Sequence, residues 1–116
     1  MSRRDSDYLL DILEAMSRIS SYSEGMTKDS FMNDTKTQDA IVRNIEVIGE
    51  ATKKLSSDLT EANAEVPWRS MAGMRDKVIH EYFGINYDIV WTVASQELSG
   101  LQSVIEQIAA DQGSGG

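Results

Sequence analysis

Residues 35–56 read TKTQDAIVRNIEVIGEATKKLS, and this stretch decides the fold class. Its apolar residues recur at spacings of three and four, which is the period of an α-helix with one buried face. The residues predicted to face inward are Ile41, Ile45, Ile48, Ala51 and Leu55. Val47 points away from that stripe. The pattern therefore predicts a long helix from about Thr35 to Ser56.

The chain before this helix shows the same period. A first helix is expected to begin with Asp5 or Ser6 as its N-cap. Its predicted inner stripe consists of Tyr8, Leu9, Ile12, Leu13, Met16 and Ile19. The polar residues 20–30 contain Gly25 and are predicted to form a loop, followed by a short helical turn around Phe31.

Two more helices are predicted after residue 66. Pro67 suits the first turn of a third helix, which carries Trp68, Met71, Met74 and Val78 and should end near Gly84. A fourth helix is expected from about Asp88 to Ala110. Its packing seam consists of Trp91, Ala94, Leu98, Leu101, Ile105 and Ile108, broadened by Val90, Val93 and Val104.

These elements predict an all-α protein, an up-and-down bundle of four to five helices with short connections. Residues 1–110 are expected to form a single domain, and residues 111–116 a flexible C-terminal tail. The 116 residues include no cysteine, which excludes disulfides and thiolate metal sites. No export signal and no apolar run long enough to span a bilayer is visible, so we expect a cytoplasmic protein without a membrane partner.

The net charge of −8 argues against a protein that coats nucleic acid, because phosphate contacts require clustered Lys and Arg. It does not exclude an enzyme that grips a short RNA with a few local cations. The candidate segment is residues 75–83, RDKVIHEYF, which holds the only histidine, His80. Histidine exchanges protons near neutral pH, and Arg75 is suited to hold a phosphate and stabilise developing charge. Together they suit RNA cleavage without a metal or other cofactor.

Helix geometry leaves two alternatives for this segment. Arg75 and Tyr82 share a face of a continuous helix, but His80 lies about 140° away from Arg75. Either the helix loosens near His80, or a second chain completes the site. In-line cleavage usually needs an acid and a base, and a two-fold dimer would supply two histidines, so we predict a homodimer. Spacing alone favours a simpler interpretation, in which His80 is satisfied by a neighbour at a helix end and Arg75 pairs with Asp76 or Glu81.

The spacing Arg-x4-His-x-Tyr resembles the motif of the HepT-like ribonucleases in the HEPN superfamily. The opening residues 3–13, RRDSDYLLDIL, resemble the family's first helix, and residues 36–40 with 43–51 resemble its second. Residues 66–69, VPWR, together with 82–84, YFG, and 89–91, IVW, extend the similarity to nearly the whole chain. Several blocks that match in order are far more specific than the short motif.

This resemblance implies the toxin of a type VII-like toxin–antitoxin system, a dimeric endoribonuclease neutralised by an MNT-type nucleotidyltransferase antitoxin. By similarity, Arg75 and His80 are catalytic and Asp76 is auxiliary. Tyr82 occupies the place of the tyrosine that the antitoxin modifies with AMP. An alternative in a different class is a non-catalytic nucleotide-binding or interaction module that partners a nucleotidyltransferase.

Further candidate contacts to RNA phosphate are Arg43, Asn44 and Lys77. Arg43 and Asn44 sit between apolar positions of the second helix, from which they could face the site. Glu46 and Glu50 are four residues apart, but no further ligand stands at suitable spacing, so we predict no metal site. Their expected role is structural, in pairs with Arg43 or Lys54.

Overall fold

The computed structural model describes residues 4–80 and 84–114, without the side chains of residues 80, 113 and 114. Within this part the protein is built from helices, which confirms the all-α prediction. One departure is an antiparallel pair of two-residue strands. Among the described residues, no helix combines the length and apolar character needed to cross a membrane.

The two long helices α1 (Asp5–Ser23) and α3 (Thr35–Lys53) pack along each other and form the centre of the fold. Helix α1 begins slightly earlier than predicted, with Arg4 rather than Asp5 or Ser6 as its N-cap, and the backbone N–H of Arg4 donates to the Asp7 carboxylate at 3.0 Å. It continues four residues into the predicted loop, to Ser23. The loop prediction was wrong there because polar, exposed residues do not stop a helix. The chain turns at Gly25, whose φ is +74°.

Helix α2 (Lys28–Met32) is the short turn predicted around Phe31, and Phe31 is fully buried. The side-chain amide of Gln38 in α3 donates to the carbonyls of Phe31 and Met32 at 2.9 and 3.0 Å. Asp34 caps α3 by accepting a hydrogen bond from the Thr37 N–H at 3.0 Å. These contacts satisfy helix ends that would otherwise lose their hydrogen bonds, so α2 is fixed to the start of α3.

The chain after α3 is more broken than the sequence predicts. Helices α4 (Ser57–Ala62), α5 (Trp68–Ala72) and α6 (Met74–Val78) are each short. Strands β1 (Ile79–His80) and β2 (Gly84–Ile85) follow and pair with each other. The predicted single helix from Pro67 to near Gly84 is therefore wrong. It breaks at Gly73 and ends at Val78, where consecutive β-branched residues favour extended backbone.

The last helical run comprises α7 (Tyr87–Thr92), a π-helical turn (Val93–Glu97) and α8 (Leu98–Ser114). The run was predicted, but α8 extends four residues past Ala110, to Ser114. The predicted seam was partly wrong, because the π turn adds a residue and shifts the buried face. The buried residues of the run are Val90, Val93, Leu98, Ile105 and Ile108.

A single cluster of buried apolar side chains joins these elements. Its members from α1 are Leu9, Ile12, Ala15, Met16 and Ile19, and those from α3 are Ile41, Val42, Ile45, Ile48 and Ala51. The segment with the candidate site contributes Met71, Met74 and Val78. The predicted inner stripes of both long helices are thus largely confirmed, although Tyr8, Leu13 and Leu55 are only partly buried. The core anchors α5 and α6 against α3.

Candidate active site

The backbone at the candidate site changes from helix to strand between Arg75 and His80. Arg75 lies in α6, which ends at Val78, and His80 lies in β1 opposite Gly84. The 140° separation of an ideal helix therefore does not apply. Of the two alternatives in the sequence, the loosening of the helix before His80 is the one that the structure shows. It does not test the contribution of a second chain.

Backbone contacts join the residues that flank positions 81–83. The N–H of Asn86 donates to the carbonyl of Val78 at 2.8 Å, and Ile79 pairs with Ile85. Gly84 has a φ of +76°, a conformation that side chains with a Cβ rarely adopt. The predicted modification site Tyr82 lies outside the described residues, as does Glu81. The side chain of His80 is likewise outside them.

Arg75 sits at the protein surface between two carboxylates, with 47% of its side chain exposed. Its Nε lies 3.9 Å from Oε2 of Glu46 on α3, and its Nη1 lies 3.6 Å from Oδ1 of Asp76. The Asp76 side chain is 77% exposed, whereas that of Glu46 is 33% exposed. Arg75 can therefore reach solvent and a bound phosphate, while Glu46 contacts it from the more sheltered side.

Gly49 explains why α3 and the motif helix approach so closely. A Cβ built on Gly49 would lie 3.3 Å from the carbonyl oxygen of Ala72 and 4.0 Å from the backbone nitrogen of Arg75. Residue 49 thus lets α3 pack directly against the backbone of α5 and α6. Glu46 lies almost one turn earlier on α3, which places its carboxylate beside Arg75.

Lys77, a predicted phosphate contact, is held on the opposite flank of α6. Its Nζ donates to both carboxylate oxygens of Glu97, at 2.9 and 3.3 Å. Glu97 ends the π-helical turn, so this pair ties the motif helix to the last helical run. The same two residues border a cavity of about 260 Å³ whose other lining residues are Pro67, Ser70, Met71, Met74 and Leu101.

The other two predicted contacts do not lie beside Arg75. Arg43 is exposed and borders a groove of about 300 Å³ between α1 and α3. Asn44 is buried, with 6% of its surface exposed, and its amide donates to the Ala40 carbonyl at 2.9 Å. Asn44 therefore satisfies its own helix, and contact with RNA would require it to move. The structure groups Arg75 with Asp76 and Glu46.

Glu46 is the site residue whose position the sequence reasoning missed. It was expected to pair with Arg43 or Lys54, its neighbours on the same helix, rather than with Arg75. The available signal was Gly49, three residues later on the same side of α3, since a helix-interior glycine often marks a close approach. Within residues 4–80 and 84–114 no group of three His, Asp or Glu side chains could hold a metal ion.

A model of the HepT-like ribonuclease family matches residues 12–108. A relative from Methanocaldococcus jannaschii, named "Putative RNase", is 46% identical over 104 residues, which are 90% of this chain and 86% of the relative. The "Probable ribonuclease HepT" of Thermococcus cleftensis is 39% identical over 108 residues, 93% of this chain and 98% of the relative. No solved structure matches the chain significantly.

The family model and both relatives match nearly the whole chain, and each alignment also covers most of the relative's own length. The protein therefore belongs to the HepT-like ribonuclease family. The candidate residues Arg75 and His80 lie on either side of the boundary between α6 and β1, and Arg75 is beside the Glu46 carboxylate of α3.

Proposed function

We propose that this ribonuclease is the toxin of a type VII-like toxin–antitoxin system and cleaves RNA internally without a metal ion. The observation that carries the proposal is the end of helix α6 at Val78. Arg75 lies on this helix and His80 on the strand that follows, so the 140° separation of a continuous helix does not apply. An exposed guanidinium on the helix and a histidine on the adjoining strand suit phosphate binding and proton transfer. Membership of the ribonuclease family supports the RNA substrate.

The reaction would be an in-line transesterification. The 2′-oxygen of the substrate ribose forms a bond to phosphorus while the bond from phosphorus to the 5′-oxygen of the next nucleotide breaks. His80 would move the proton of the attacking or leaving oxygen. Arg75 would stabilise the negative charge on the pentacoordinate phosphorus, and Asp76 would assist as an auxiliary group. A homodimer would supply a second histidine for the other proton.

Regulation would act through Tyr82. An MNT-type nucleotidyltransferase would transfer AMP to the tyrosine hydroxyl, forming a phosphodiester to the tyrosine and releasing pyrophosphate from ATP. The added phosphate and base would stand close in sequence to Arg75, where RNA is expected to bind. Both partners would act in the cytoplasm. Arg43, Asn44 and Lys77 remain candidate contacts to a longer RNA, although Lys77 would have to leave Glu97.

The proposal is tested by cleavage of RNA by purified protein in EDTA. His80→Ala should lower the cleavage rate by about 10²- to 10⁴-fold, the usual contribution of a general acid or base. Arg75→Ala should lower it as well. A matched control is Lys53→Ala, which removes an exposed cation paired with Glu50 on α3. Unchanged melting temperatures would show that the fold is intact, and undiminished cleavage by His80→Ala would contradict the proposal.

A second candidate function is a non-catalytic nucleotide-binding module that partners a nucleotidyltransferase. The observation in its favour is that the motif cations are paired within the chain, Arg75 with Glu46 and Asp76 and Lys77 with Glu97. Together with the net charge of −8, this pairing lowers the general attraction for RNA. Saturable nucleotide binding without RNA cleavage at any protein concentration would select this function over the toxin.

A further inference from the structure

The contact between Glu46 and Arg75 joins two distant parts of the chain. Glu46 belongs to α3, a long helix that is anchored in the core on its other side by Ile45 and Ile48. Arg75 belongs to a helix of five residues that ends at the motif strand. A carboxylate on the rigid element is therefore in contact with a flexible side chain on the short one.

The two carboxylates around Arg75 are not equivalent. Asp76 is on the same short helix and mostly exposed, so water and salt screen its attraction to the guanidinium. Glu46 is two-thirds covered and is presented by another helix. An ion pair that is partly shielded from water is screened less, so water weakens the attraction of Glu46 for Arg75 less than that of Asp76, although the Glu46 contact is longer, 3.9 Å against 3.6 Å.

The atoms in contact also suit a phosphate-binding arginine. A guanidinium carries five N–H donors in a planar fork. Glu46 lies against Nε, at one edge of the fork. A carboxylate near that edge attracts the Nε side of the group and leaves donors on the terminal nitrogens for phosphate oxygens. Asp76 at Nη1 is exposed enough to swing away when a phosphate arrives.

From these contacts we propose that Glu46 is a positioning residue for Arg75. It holds the guanidinium plane in the orientation that receives the transition-state charge, and Gly49 makes this contact possible by allowing α3 to approach α6. The inference rests on the proposed function, because it assigns Glu46 to the site that would cleave RNA. Glu46 acts through Arg75 and transfers no proton.

The test is a double-mutant cycle on RNA cleavage. Glu46→Ala should lower kcat about 10- to 100-fold and change KM less than about 2-fold, since misplacing a catalytic group by about 1 Å costs up to ~10²-fold. Glu46→Gln keeps the size of the side chain but removes its charge, so it should lower kcat in the same direction as Glu46→Ala. In the Arg75→Lys background, which lacks the Nε–H donor, Glu46→Ala should change the remaining rate less than about 2-fold. The shape of the pH profile should stay the same in all variants.

Glu50→Ala provides the matched control. Glu50 is exposed, one turn further along α3, and paired with Lys53, so its loss should leave kcat unchanged. Equal losses from Glu46→Ala in both the wild-type and the Arg75→Lys backgrounds would overturn the positioning role, as would unchanged kcat. Loss of the acidic limb of the pH profile would also overturn it, since that result would make Glu46 a proton carrier.

Failure of the proposed function gives a different result. If the wild-type protein cleaves no RNA, the ribonuclease toxin is wrong, and positioning for cleavage falls with it. The contact itself is then judged by melting temperatures of Glu46→Ala, Arg75→Ala and the double variant. Non-additive losses would retain the pair as a structural contact, whereas strictly additive losses would show that the two side chains do not interact.

Discussion

The two long helices α1 and α3 differ sharply from the segment between Trp68 and Glu97. Each long helix runs 19 residues without interruption and places a fully buried stripe in the core. The later segment changes from short helices to paired strands and then to a π-helical turn. Regular hydrogen bonding and burial make the first region the larger contributor to the core, whereas the irregular second region carries the candidate site residues Arg75 and His80. Mutations should therefore separate stability from activity according to region.

The largest effect on stability is expected in the first region. Ile45 is fully buried in α3, and Ile45→Ala should lower the free energy of unfolding by about 2–5 kcal/mol, because it removes buried methyl groups and leaves a cavity. Chemical denaturation measures this loss. Leu10→Ala is the control on α1, where the leucine is 59% exposed, and it should cost less than about 0.5 kcal/mol. Comparable losses in the two variants would break the comparison between core and surface.

A smaller loss of stability is expected at two glycines, one in the connection between the long helices and one in the later segment. Gly25 and Gly84 both have a positive φ near +75°, and neither would meet a neighbouring atom within 4 Å if it carried a Cβ. Gly25→Ala and Gly84→Ala should each cost about 1–2 kcal/mol through backbone strain. The loss of RNA cleavage should be confined to Gly84→Ala, because Gly84 pairs with His80. Equal activity of the two variants, measured at a temperature where both are folded, would contradict the separation of functions.

The smallest effect concerns the helix caps and pH. Asp34 caps α3 and Asn86 caps α7, each by accepting an N–H from three residues later. The hydrogen bond from the Thr37 N–H, with a second from the Thr37 hydroxyl, lowers the pKa of Asp34 below its usual 3.8. The stabilisation by ionised Asp34 is therefore present above about pH 3.8 and lost as the pH falls through the lowered pKa of the folded state.

Thermal melts between pH 7 and pH 2 check this expectation. The difference in stability between wild type and Asp34→Ala should narrow in acid. The corresponding difference for Asn86→Ala should stay constant, since an amide does not titrate. A constant difference for Asp34→Ala would show that its charge does not contribute to the cap.

The sequence predicted the long helices because their apolar period is uninterrupted and their start signals are local. Ile41, Ile45 and Ile48 lie where the pattern of three and four places them. The end of α6 could not be read in this way, since Val78 continues the apolar period while its neighbours form a strand. Ile79 pairs with Ile85, six residues further along the chain, and a pairing of this kind leaves no periodic signal in the sequence.

The candidate site was predicted in its residues but not in its contacts. Arg75 and His80 were predicted from their side-chain chemistry and from the family motif, both of which can be recognised in the local sequence. Glu46 was assigned to the wrong partner because its contact joins residues far apart in sequence. The burial of Asn44 was missed for a related reason. Whether a polar residue between apolar ones faces solvent depends on which helices cover it.

The π-helical turn at Val93–Glu97 changes which face of the last helical run points toward the core. An extra residue rotates everything after it by about 100° relative to a regular helix. Val90 before the turn and Val93 at its start can thereby face the same core as Leu98 and Ile105 after it. The π-helical turn therefore lets α7, which follows β2, and α8, which packs along α1, each place its own apolar face toward the core. Deletion of one residue from the turn would leave both helical parts intact, but their apolar faces would no longer point toward the same core.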